Sequence, residues 1–299
     1  MLYNLFHTNE KYVDLESFKE KLGTLNPLIK DNSIDDPKDL IFFIIEEIHK
    51  ELCPINLFNS YKNNLIQEFE SQNEQKMLYD CLNELESKRT VISDIFYGVN
   101  RSVTHCHVCN IKKYSFQPFN ILDFHLKKVK EYKINKTGSA KNLDLYDAFF
   151  CEQEEEAFEG ENMIYCNSCN KLSPCVQYQN ICGMPCYLII TLNRGKNNID
   201  FNDKFKFDEV IDFSNKNIII NQNSLTKFYL CGIITLLGEI GKNGYFIAYW
   251  RSDLNDNFMC YDNDASVYSV SVQDAMDTII SQNESEKKTP YILFYHYMM

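Results

Sequence analysis

The sequence has no run approaching the roughly 20 apolar residues that a bilayer-spanning helix needs, so no such helix is expected. An apolar leader is missing too: the opening MLYNLFHTNEKYVDLESF carries charges too early for a secretory signal. Basic charge is scarce, with 30 Lys and Arg against 42 Asp and Glu and a formal net charge of −12. A generic nucleic-acid binder needs a basic footprint to neutralise phosphates, and this composition does not supply one. Internal repeats and low-complexity linkers are absent as well, which argues for one continuous domain. The expectation is a soluble chain of the cytoplasm or nucleus, with neither a nucleic-acid nor a membrane partner. The acidic run EQEEEAFEGE at 152–161 is expected to be a solvated loop rather than a docking site.

Core-forming material is plentiful. Hydrophobic residues make up 44% of the 299, with 21 Phe and 19 Tyr, which excludes wholesale disorder. Asp36-Pro37-Lys38-Asp39 has the marks of a helix start: an Asp cap, proline in the first turn and an early acid against the dipole. The following Leu40–Leu52 is apolar on most sides in its first half, which predicts a buried helix ended by Pro54. A second helical region is expected over 60–88. After residue 90 the pattern changes to short strands rich in Ile, Tyr, Phe and Val. Strands are predicted at 103–107, 115–127, 163–165, 174–181, 186–193, 217–220, 227–237, 244–251, 257–262 and 290–297. Short helices are predicted at 144–150 and 272–282. Helices first and strands later give an α+β class.

Twelve cysteines in such a chain ask for an explanation. Disulfides are not expected in a reducing compartment, and thiols such as Cys182 and Cys231 sit in apolar settings where they act as small hydrophobes. Cys106 and Cys109, and Cys166 and Cys169, form two CxxC pairs with Asn and Ser in and after the turns. Two such knuckles complete a tetrahedron around one ion, and four thiolates leave no open position, so a structural Zn2+ is the expectation. Unmetallated thiols and a redox CxxC are the competing readings. His105, His107 and Cys175 lie close enough in sequence to substitute as ligands.

The order of elements around these knuckles carries a resemblance. Ser93-Asp94-Ile95-Phe96-Tyr97-Gly98 precedes the first CxxC, and Phe116-Gln117-Pro118-Phe119-Asn120-Ile121-Leu122 follows it. The second leads into Pro185-Cys186-Tyr187-Leu188-Ile189-Ile190-Thr191-Leu192-Asn193-Arg194. Then come Gly244-Tyr245-Phe246-Ile247-Ala248-Tyr249, Asp262-Asn263 and Tyr291-Ile292-Leu293-Phe294-Tyr295. This series resembles the ubiquitin-specific proteases over residues 1–299. The resemblance implies one papain-like, hand-shaped domain. Its helical thumb would span 1–100, its zinc-tipped β fingers 101–115 and 160–182, and its β palm 116–159 and 183–299. Ubiquitin would rest in the palm, with its tail in a channel near Asp36, Gly244 and Tyr245.

The family cleaves isopeptide bonds with a cysteine, a histidine base and an acid or amide that orients the histidine. Leu2-Tyr3-Asn4-Leu5-Phe6-His7-Thr8-Asn9 matches the family's nucleophile motif, with Asn9 in the cysteine position. Tyr245 stands at the histidine position, Leu236 at that of a second upstream histidine, and Asp262 at that of the orienting acid. A carboxamide cannot act as a thiolate, and a phenol with a reference pKa of about 10 is a poor base near neutrality. His49 and Cys53, four apart at a helix end, are expected to be a packed helix terminus, and His7, His125 and His296 to be surface or satisfied structural residues. The resemblance therefore implies a pseudo-deubiquitinase that binds ubiquitin, a ubiquitinated protein or a larger protein complex. The alternatives are an active thiol-dependent ubiquitin hydrolase in a longer chain, and a scaffold that no longer touches ubiquitin.

Overall fold

The computed structural model describes residues 16–30, 36–53, 71–194, 204–214, 216–220, 224–238, 244–262, 267–281 and 288–298. The chain divides into two compact units, residues 1–51 and 52–299. The first contains helices α1 (Glu16–Leu25), α2 (Pro27–Lys30) and α3 (Pro37–Leu52). Asn26 caps α2, its Oδ1 accepting from Leu28 N at 3.1 Å. Asp36 caps α3 as expected, its Oδ1 accepting from Lys38 N at 2.8 Å. The apolar start of α3 is only half-buried: Ile45 is its one fully buried residue and Phe42 is 48% exposed. Among the described residues of its own unit, only two shorter helices accompany it.

The second unit begins with α4 (Gln72–Ser87) and α5 (Val91–Phe96). Ser71 caps α4, and Thr90 and Ser93 form a reciprocal capping box on α5. Residues 60–70 of the predicted second helix lie outside the described residues. Strands β1 (Gly98–Cys106) and β2 (Lys112–Phe119) form a hairpin. After them come β3 (Leu122–His125), α6 (Leu126–Thr137), β4 (Leu143–Asp144), α7 (Leu145–Glu152), β5 (Glu156–Phe158), β6 (Ile164–Cys166), β7 (Lys171–Ser173), β8 (Cys175–Gly183) and β9 (Tyr187–Asn193). The rest is β10 (Phe205–Lys206), β11 (Val210–Asp212), β12 (Lys227–Leu237), β13 (Tyr245–Trp250), β14 (Phe258–Tyr261), β15 (Tyr268–Val270), α8 (Val272–Ser281) and β16 (Lys288–Tyr297).

Two sheets organise this unit. One has the order β2-β1-β8-β5. The other runs β15-β14-β13-β12-β16-β9-β3, with β11 beside β12. Among the described residues, only β3 and β9 pair in parallel within it. β9 and β12 are buried along nearly their whole length, which is why they appear as continuous apolar runs rather than alternating ones. The large sheet buries Leu188, Ile190, Leu192, Ile233, Ile247, Leu293 and Tyr295 in one cluster with Val129 of α6, Phe149 of α7 and Ile279 of α8. A smaller cluster joins Leu78 of α4 to Val99, Val103, Tyr114, Phe116 and Cys182 of the first sheet.

Two predicted strands are corrected. The span 115–127 is broken after Phe119: Asn120 and Ile121 leave the ladder, β3 pairs with β9 instead, and α6 begins at Leu126. The span 217–220 amounts to one parallel bridge, Ile219 to Ile181.

Candidate functional site

The two CxxC knuckles end two hairpins, β1–β2 and β6–β7, and they are built alike. Asn110 and Asn170 each follow the second cysteine in the left-handed conformation, at φ 58° and 52°. Asparagine tolerates that region better than other residues with a Cβ. The residue before the first cysteine holds each asparagine in place. His105 Nε2 lies 2.7 Å from Asn110 Oδ1, and the Tyr165 hydroxyl donates to Asn170 Oδ1.

These turns gather the four sulfurs of Cys106, Cys109, Cys166 and Cys169 within 4.8 Å of one another. The Cys106–Cys169 and Cys109–Cys166 separations are 3.8 and 3.7 Å. That is far beyond a disulfide bond. It matches the edge of a thiolate tetrahedron, about 3.8 Å when each sulfur is about 2.3 Å from zinc. Backbone N–H groups, that of Cys109 first, hold the Cys106 thiol down to about 6. Cys169 is pushed up to about 12, first by burial and then by its bonds to the other three sulfurs. Four sulfurs this close do not all ionise unaided, and a divalent cation is what allows it. The donor set therefore fits a metal ion. His105 and His107 stack edge-on at 5.6 Å, and Cys175 donates to Ser173 O at 3.4 Å; none of the three belongs to the metal-competent set.

The residues at the remaining matched positions lie as follows. Asp36 belongs to the first unit, as the α3 cap. Asn9 lies outside the described residues. In the second unit Gly244 is exposed, and Tyr245 opens β13 opposite Leu237, half-buried against the main core. Leu236 is buried between Phe246 and Thr289 of the neighbouring strands. β13 pairs with β14 through Ala248–Tyr261 and Tyr249–Cys260. Strand alternation then sends Asp262, one residue past β14, to the same face as Cys260, Tyr249 and Tyr245. Asp262 Oδ1 is buried there without a hydrogen-bond partner.

His296 stacks on Tyr187 at 4.2 Å and its Nδ1 lies 3.0 Å from the Tyr229 hydroxyl, which makes it a satisfied structural residue rather than a surface one. Burial pushes the thiols of Cys81 and Cys151 up to about 11, and of Cys182 and Cys231 up to about 12. Such thiols stay protonated and unreactive. Among the described residues no cysteine sulfur is hydrogen-bonded to a histidine ring.

The sequence profile described as "Ubiquitin carboxyl-terminal hydrolase" matches residues 1–295. The chain belongs to the ubiquitin carboxyl-terminal hydrolase family. Among the relatives it resembles, ubiquitin carboxyl-terminal hydrolase 4 of Saccharomyces cerevisiae is 26% identical over 327 aligned positions, covering 99% of this chain and 32% of that protein. Ubiquitin carboxyl-terminal hydrolase 5 of the same yeast is 24% identical, covering 93% and 34% respectively. Ubiquitin carboxyl-terminal hydrolase 25 of Arabidopsis thaliana is 27% identical, covering 71% and 29%. The chain thus spans about a third of the length of these family members.

Proposed function

We propose that the chain is a non-cleaving member of its family, which binds ubiquitin or a ubiquitin-conjugated protein through the fold. The observation that carries this reading is Tyr245 at the start of β13, on the face shared with Asp262, whose Oδ1 has no partner. An imidazole there would be oriented by the carboxylate and would titrate near neutrality. A phenol does not serve as a general base at that pH. Asn9, matched by sequence to the nucleophile, adds a second substitution, and an amide offers no thiolate. The raised pKa values of the buried thiols support the same reading, because they leave no ready substitute nucleophile among them.

In this reading the four-cysteine set holds a structural zinc ion at the tip of the fingers. Residues 1–100 act as thumb, 101–115 and 160–182 as fingers, and 116–159 and 183–299 as palm. Within the second unit, Gly244 and Tyr245 mark the channel for the ubiquitin tail. The cytoplasm or nucleus is the working compartment, which suits a set of free cysteines.

The test is turnover of a ubiquitin–fluorophore conjugate, together with labelling by ubiquitin carrying a thiol-reactive C-terminus. Neither signal is expected. Turnover abolished by replacing one cysteine would overturn the proposal in favour of an active thiol-dependent hydrolase. The relatives' printed names favour that second reading, and so does the larger size of those proteins. Titration with labelled ubiquitin then separates a ubiquitin reader, which saturates, from a scaffold that has lost ubiquitin, which stays silent.

A further inference from the structure

The four sulfurs of the knuckles have a fifth neighbour. β1 and β8 run antiparallel in register, from Asn100 opposite Ile181 to Cys106 opposite Cys175. Among the described strand pairs this is the one place where two cysteines face each other.

The hydrogen bonding fixes which kind of pair this is. His107 N donates to Pro174 O at 3.0 Å, one step further along the ladder. Bonded and unbonded pairs alternate along antiparallel strands, so Cys106 and Cys175 form an unbonded pair, with Cα atoms about 4.5 Å apart. Residues opposite one another also point to the same face of the sheet. A disulfide needs Cα atoms roughly 4.4 to 6.8 Å apart and side chains directed toward each other. The Cys106–Cys175 position satisfies both conditions without a change of register.

In the folded tip neither thiol is open to attack. Cys106 is 3% exposed and belongs to the metal-competent set. Cys175 is 2% exposed, and its Sγ donates to Ser173 O at 3.4 Å. Bridges between the knuckles are placed differently. Cys106–Cys169 and Cys109–Cys166 each join two separate hairpins, and β6–β7 is an isolated pair of three-residue strands. Such a hairpin is marginal by itself. β1 is instead paired to β8 along its length, and that ladder does not pass through the ion.

We propose that Cys106 and Cys175 are a latent disulfide site, closed by a low-molecular-weight disulfide once the ion leaves the tip. The four-cysteine metal reading supplies only the trigger; the pairing itself is set by the strands. Closure takes two exchanges. One protein sulfur attacks the small disulfide, forms a mixed disulfide and releases one small thiol. The second protein sulfur displaces the other half, leaving the Cys106–Cys175 bond. Two protein thiols are oxidised, one small disulfide is reduced to two thiols, and both protons end on them. The ladder holds the second sulfur beside the first, so the second exchange is intramolecular and outpaces accumulation of the mixed disulfide. The bridge then fixes the end of β1 covalently.

The test incubates the zinc-loaded full chain with oxidised glutathione, with and without a chelator, and maps the bonds by peptide mass spectrometry. With the ion in place no bridge is expected. After chelation two thiols are expected to be lost per chain, with Cys106–Cys175 the predominant bond. Hydrogen exchange is expected to show protection regained at the end of β1 while β6–β7 stays open. In Cys175→Ser the bridge is expected to vanish and glutathione to remain attached at Cys106. If that variant folds poorly, the bond map of the unaltered chain decides alone. If native mass spectrometry finds no ion in the starting chain, the metal reading fails, and the bond map of the chain as isolated decides the pairing. Bonds mainly within or between the knuckles, mixed glutathione disulfides alone, or equal bridging of the zinc-loaded and stripped chain overturns the proposal.

Discussion

At Arg101 a charge is held inside the hairpin that carries the first knuckle. Its Nη1 meets the buried Glu74 carboxylate, and its guanidinium lies 5.7 Å from the Tyr114 ring centre. Removing one partner strands the other charge in a desolvated place. Arg101→Met should therefore cost about 3 kcal/mol, lowering the melting temperature by roughly 10 °C. Adding Glu74→Leu should recover most of that loss, and recovery in calorimetric melts is the check. His296 works in the opposite direction. Burial lowers its pKa in the fold, so the unfolded chain takes up its proton first as pH falls. Stability should decline as pH drops through 6.5 toward the folded value, and a His296→Gln variant should show a shallower decline in denaturant titrations. In the sequence this histidine was legible only as non-catalytic, a surface or a structural residue, because no acid and cysteine accompanied it in a recognisable context. The asparagine locks on the knuckles were only half legible: the residue type announced a turn, but the grip of His105 and Tyr165 from five residues away is a matter of geometry.

Among the elements, apolar strands were the easiest to read. β9, β12 and β16 bury both faces, so composition alone marks them. Helix α6 was missed because its buried stripe is little more than Leu126 and Val129, and lysines fill the rest. What stabilises it includes salt links to residues about 14 to 28 positions away, which no local pattern records. The start of β1 offers a sharper constraint. A Cβ on Gly98 would stand 2.7 Å from the carbonyl oxygen of Gly183 on the adjacent strand, besides striking Phe119. Backbone cannot yield as a side chain does, so Gly98→Ala is expected to cost about 1–3 kcal/mol, read from chemical denaturation. The knuckles respond to chelation instead. If the four cysteines hold the proposed ion, a chelator should abolish amide protection in β6–β7 and the ends of β1–β2 while sparing β9, β12 and β16, as mapped by hydrogen exchange.

The whole second unit depends on long-range pairing. β16 lies between β12 and β9, so residues 288–297 occupy the middle of the large sheet although they are last in sequence order. A chain stopped after residue 287 would expose two hydrophobic strand edges, and such a product is expected to be insoluble or molten, by light scattering and near-ultraviolet dichroism. Sequence order could not announce this placement, because strand neighbours are chosen across the fold. The same sheet also holds the protein's single tryptophan, Trp250, which covers Gly232 and meets Phe294 edge-on at 5.8 Å. Indole emission is therefore a reporter planted on one seam, between β12 and β13. A melt followed at that wavelength will track the seam and stay blind to the four-cysteine tip, whose loss needs its own dye, such as the visible absorption of cobalt added to the thiolate set.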